Sequence, residues 1–156
     1  MRKATLTVMA LAMITASVKA GWQYKDVQDE MGRDAPEHHA FVLSKRDDAN
    51  LVLARFADGT QAVIIYVKTG MLNGESLQGS SKLYYVPISV RLDDGQIFQA
   101  SLRMMPELGM DNGSLGVEQS DSLIKWLLVS STLRIEVPIY GHSSVVYTFD
   151  VAGLKW

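Results

Sequence analysis

The 156 residues carry 15 Lys and Arg against 17 Asp and Glu, a formal net charge of −2, and no cysteine. That balance excludes the clustered cationic surplus on which nucleic-acid binding rests. With no thiol there can be no disulfide, zinc–thiolate site, iron–sulfur cluster or cysteine nucleophile, so folding must rest on a hydrophobic core, which a chain of this size can supply.

Residues 1–20 have the three parts of a cleavable secretory signal in order. Arg2 and Lys3 give a positive start, residues 6–18 are mainly apolar, and Val18-Lys19-Ala20 offers small side chains at the two positions a signal peptidase reads. A membrane span needs about 20 apolar residues, and Thr7, Thr15 and Ser17 interrupt a shorter stretch here. Lipid anchoring would need a cysteine at the cleavage point. The expectation is cleavage before Gly21, which leaves one soluble domain over residues 21–156, periplasmic or secreted. Losing Arg2, Lys3 and Lys19 and no acidic residue takes the net charge from −2 to −5. No later stretch reaches span length, so the mature chain is expected to make no stable membrane insertion.

Trp22 and Tyr24 alternate with polar residues and predict a short strand that gives way to a polar loop through residue 36. Residues 39–46 and 51–56 read as strands. Asp58-Gly59 signals a hairpin, since both residues tolerate the positive φ of a two-residue turn. Residues 62–68, apolar on both faces and β-branched, predict a central strand. Asn73-Gly74 and Gly79-Ser80-Ser81 mark a loop-rich connection. Residues 83–92 read as a longer strand in which Pro87 suggests an edge or a bulge. Asp93-Asp94-Gly95 then turns the chain into a strand over 96–104.

One helix is predicted over residues 121–130, with Ser120-Asp121-Ser122 as N-cap side chains and Leu123, Ile124, Leu127 and Leu128 as an apolar stripe. The period then returns to two. Leu133, Ile135, Val137 and Ile139 share one face, and Val145, Tyr147, Phe149 and Val151 line the last strand. Without long helical crossovers the pattern is a run of hairpins, mainly β, an antiparallel β-sandwich with one short helix.

The two ends of the mature chain resemble a family. Trp22-Gln23-Tyr24 followed by Asp29-Glu30-Met31-Gly32 is similar to the W-x-Y … D-x-M-[TG] opening of exported bacterial proteins of uncharacterised function, among them accessory proteins of type VI secretion. The ending, a short helix and a strand before Phe149-Asp150-Val151-Ala152-Gly153-Leu154-Lys155-Trp156, is similar to that family's F-D-[VL]-x-G-L. The resemblance implies a β-sandwich in which Trp22, Tyr24, Asp29, Met31, Phe149, Asp150, Gly153, Leu154 and Trp156 are structural. Members often carry cysteines, in a lipobox or within the domain, and this chain has none.

Candidate chemistry is sparse. His38, His39 and His142 are the only metal-ligand histidines on offer. Neighbours on a strand point to opposite faces, and no chelating spacing accompanies them, so no metal is expected. The acidic run Asp26, Asp29, Glu30 and Asp34 lacks a calcium-loop spacing. Asp150 reads as a carboxylate that pins the terminal turn. The serines of Gly79-Ser80-Ser81 and Ser143-Ser144 sit in turn-like contexts, and no G-x-S-x-G occurs. Trp22, Trp126 and Trp156 could build a sugar-stacking platform, but core packing is the expected role for all three.

These readings predict no catalytic residue and no cofactor. They point to an exported module that acts by binding another envelope protein. Two alternatives remain: an inhibitor of a periplasmic hydrolase working through residues 70–81, or an envelope enzyme whose site is assembled from residues distant in sequence.

Overall fold

The computed structural model describes residues 21–28, 34–68, 70–73, 75–76, 84–104 and 112–156. The expected signal peptide, Asp29, Met31 and Gly79-Ser80-Ser81 lie outside them.

The strands are β1 (Gln23–Gln28), β2 (Asp34–Leu43), β3 (Ala49–Arg55), β4 (Gln61–Val67), β5 (Glu75–Ser76), β6 (Tyr84–Leu92), β7 (Ile97–Met104), β8 (Asn112–Leu115), β9 (Thr132–Val137) and β10 (Val145–Asp150), with one helix, α1 (Val117–Leu127), among the described residues. Every pairing is antiparallel, and all belong to one sheet ordered β1-β2-β3-β4-β8-β7-β6-β9-β10, with β5 added against β6.

The expected two-sheet sandwich is replaced by this single sheet, because β4 pairs with β8 and β6 with β9, joining strands that two sheets would keep apart. The sheet curls until its ends meet. Ser44, just past β2, bridges Phe149 of β10, and the Lys45 N–H donates to the Thr148 carbonyl at 2.8 Å. Closure of this kind leaves less unpaired edge for another chain to add to.

Period-two alternation fills the inside of the curl. Leu51 and Leu53, Val63 and Ile65, Val86 and Val90, Leu133 and Ile135, and Tyr147 and Phe149 are all fully buried. Each such side chain contributes about 1.5–3 kcal/mol relative to exposure, as an upper bound. At β8 the strands come unusually close: a Cβ on Gly113 would lie 2.9 Å from Leu102 Cβ. Only glycine lets β7 approach there.

Local differences from the sequence reading have local causes. β2 starts at Asp34 within the expected loop and stops at Leu43, because Ser44 Oγ accepts from the Asp48 and Ala49 N–H groups at 3.0 Å each and donates to Asp48 Oδ1 at 2.6 Å. That clasp folds the chain into a turn in which Asp47 takes φ 57°. Between β3 and β4 only Gly59 has positive φ, at 84°, and the Gly59 N–H donates to the Phe56 carbonyl at 2.9 Å. This is a three-residue loop with a glycine bulge rather than the two-residue turn expected of Asp58-Gly59. Pro87 sits in β6 between the stretch paired with β5 and the stretch paired with β9, where no ladder partner on that side, among the described residues, asks for its missing N–H.

The helix begins at Val117, four residues ahead of the predicted start, with Gly116 as N-cap and no side-chain cap. Ser120 lies inside it, fully buried, and serves the sheet instead: its Oγ accepts from the Val63 N–H at 3.1 Å and donates to the Leu115 carbonyl at 3.3 Å. Leu123, Ile124 and Leu127 are buried as the stripe predicted, whereas Leu128 is exposed. With Gln61 Nε2 donating to Asp121 at 3.1 Å and Trp126 against Phe98, α1 lies across one end of the curl, over the starts of β4 and β7.

Candidate binding surface

Of the residues named by the family resemblance, Trp22, Tyr24, Phe149, Asp150, Gly153, Leu154 and Trp156 gather where the chain ends meet. The Trp22 indole N–H donates to the Val151 carbonyl at 2.9 Å, and the Lys155 N–H donates to the Tyr24 hydroxyl at 2.8 Å. Phe149, Val151 and Leu154 are buried, and Gly153 holds φ 75° in the turn between the last two. Trp156 packs beneath the Arg55 guanidinium, 4.8 Å from its ring centroid, and its indole N–H donates to Gln61 Oε1. Asp150 accepts from the Ala152 N–H at 3.3 Å, a weak clasp on the terminal turn.

The histidines are not brought together. His38 and His39 lie in the middle of β2, His38 facing solvent with Nδ1 2.5 Å from Asp26 Oδ1 and His39 half-buried. His142 sits between β9 and β10, at the far end of those strands. Among the described residues no group of three or more His, Asp or Glu is placed to hold a metal ion. Burial holds the His39 imidazole below its ordinary pKa, with Glu37 opposing and Lys25 and His38 assisting.

The surface that sequence reasoning missed lies at the C-terminal end of α1. Here a cleft of about 470 Å³ opens between the helix and the β6–β7 turn, lined by Leu92, Asp93, Gln96, Phe98, Trp126 and Val129 among others. Trp126, assigned to core packing from its place on the helix, is 45% exposed and makes one wall. Its ring meets Phe98 edge-on, centroids 5.1 Å apart at 70°. Val129, one helical turn on from Trp126 and 84% exposed, adds a second apolar side chain to the opening.

The floor of this cleft is braced. Asp93, at φ 48°, accepts at Oδ1 from the Ser131 and Thr132 N–H groups at 3.0 and 2.8 Å, and the Asp93 N–H donates to the Thr132 carbonyl at 2.8 Å. The Asp93 carbonyl accepts from Arg134 Nη1 at 2.6 Å. At the helix end, Ser130 Oγ donates to the Trp126 carbonyl at 2.8 Å, and Lys125 stands in the last turn, where a cation favours the helix dipole. The β6–β7 turn, the end of α1 and the start of β9 are thus latched into one unit, and the apolar groups they carry are presented on a stiff frame.

Among the described residues no helix is long and apolar enough to cross a membrane. No family model, curated protein or solved structure matches the chain.

Proposed function

We propose that the protein is an exported binding module of the bacterial envelope, and that it holds another envelope protein on the apolar shelf around Trp126. What supports this reading is the exposure of Val129 beside the Phe98–Trp126 pair on a braced frame. Keeping such groups in water is unfavourable, and contiguous apolar surface with aromatic anchors is how many protein interfaces are built. The partner would offer apolar side chains to the cleft and polar groups to Asp93, Gln96 and Ser130 on its rim. The expected export signal over residues 1–20 supplies the compartment.

A photo-crosslinking side chain placed at Val129 of the exported protein tests this. One envelope protein should be captured, and Trp126→Ala should abolish capture while leaving the melting temperature within about 2 °C of the parent, as expected for an exposed site. Capture that survives this substitution, or that occurs equally from a probe at Thr60 in the β3–β4 loop, refutes the shelf as the contact surface.

A further inference from the structure

A second cavity, of about 200 Å³, lies at the seam where the curled sheet closes. Gly21, Ser44, Asp47 and Asp150 line it together with Lys45 and the edge of β2. Asp47 already has a cation, Lys68 Nζ at 2.6 Å. Among the described residues Asp150 accepts only from the Ala152 N–H, and none of their cationic side chains lies within ion-pair distance of it. Trp22 fixes what stands opposite: its indole N–H is tied to Val151, the residue after Asp150, which holds the Gly21 backbone at the cavity.

We propose that this cavity seats the chain's own mature N-terminus, whose ammonium, freed by cleavage of the Ala20–Gly21 bond, pairs with the Asp150 carboxylate. The inference rests on the proposed export and adds a structural role for its cleavage. Hydrolysis consumes one water and turns the amide into an Ala20 carboxylate, which leaves with the leader, and a Gly21 ammonium, which stays. Before cleavage the nitrogen at this place is a neutral peptide N–H. Afterwards it is a cation at the cavity that Asp150 lines, at the seam where Ser44 bridges Phe149. Processing thereby tightens the closure of the sheet.

The test uses a chain that begins at Gly21, with its amine free or acetylated, in the parent and in Asp150→Asn. The asparagine keeps an oxygen for the Ala152 N–H. Acetylation should lower the melting temperature of the parent by about 3 °C and that of Asp150→Asn by less than a third as much. Equal losses in the two backgrounds overturn the pairing. Coupling that disappears in Asp47→Asn but persists in Asp150→Asn overturns the choice of Asp150. N-terminal sequencing of the exported protein is read separately: another first residue refutes cleavage at Gly21 whatever the melting curves give, whereas Gly21 without coupling refutes only the ion pair.

Discussion

The Trp22 indole reaches across the closed sheet to the Val151 carbonyl, a hydrogen bond between residues 129 apart in sequence. Chain ends usually fray. Here each end is the other's anchor, with Lys155 held to Tyr24 and Trp156 wedged between Arg55 and Gln61. Deleting residues 151–156 removes two buried aliphatic side chains and these bonds together, and should cost about 3–6 kcal/mol. Trp22→Phe keeps most of the packing and should cost about 1 kcal/mol. Urea unfolding monitored by circular dichroism separates the two, and a truncated chain as stable as its parent would make the segment a loose tail.

The helix stripe carries a second expectation. Leu127 is fully buried, and α1 packs on β4 at the end of the curl. Leu127→Ala should therefore destabilise by about 2–5 kcal/mol, whereas Leu128→Ala, one residue on and exposed, should change stability by less than about 0.5 kcal/mol. Similar costs at both positions in equilibrium denaturation would mean that the helix is rotated from the orientation described.

How far the sequence could be read follows from where each signal lived. The face shared by Leu133, Ile135, Val137, Tyr147 and Phe149 was legible because a strand's side-chain period is local and these strands are covered on one side. Ser120 was misread as a cap because a hydroxyl ahead of an apolar run looks the same whether it serves its own helix or, as here, the Val63 N–H of a strand 57 residues away. β8 escaped altogether: Asn112-Gly113-Ser114 is turn chemistry, and only pairing to β4 on one side and β7 on the other makes it a strand. The Trp126 shelf was hidden for a related reason, since helical periodicity does not reveal that the β6–β7 turn stops short of covering the ring.

Gly113 gives that strand its own test. A methyl group there would meet Leu102 Cβ at 2.9 Å and, at 3.4 Å each, the Arg103 carbonyl and Leu72 Cδ1, and the Cβ and the carbonyl are fixed to the backbone with little freedom to yield. Gly113→Ala should cost about 1–3 kcal/mol by overpacking, although alanine suits a strand better than glycine does. A neutral or stabilising result in thermal denaturation would mean that β7 and β8 separate more readily than their register implies.

The last prediction concerns acid. His39 pairs with Lys25 and Ala54 across neighbouring strands, and its burial favours the neutral ring, so the folded pKa lies below the ordinary value of 6.5. The unfolded chain then binds this proton more tightly than the folded one does. Stability from this group is complete above the unfolded pKa and is lost as the pH falls from about 6.5 toward the folded pKa, below which the loss levels off. Glu37 weakens the effect, since its carboxylate favours the charged ring, and Lys25 and His38 strengthen it. Melting temperature measured from pH 7.5 down to 5 should therefore decline in the parent, above the range in which most carboxylates titrate, and His39→Gln should flatten that decline. An unchanged slope in His39→Gln would place the acid sensitivity elsewhere in the chain.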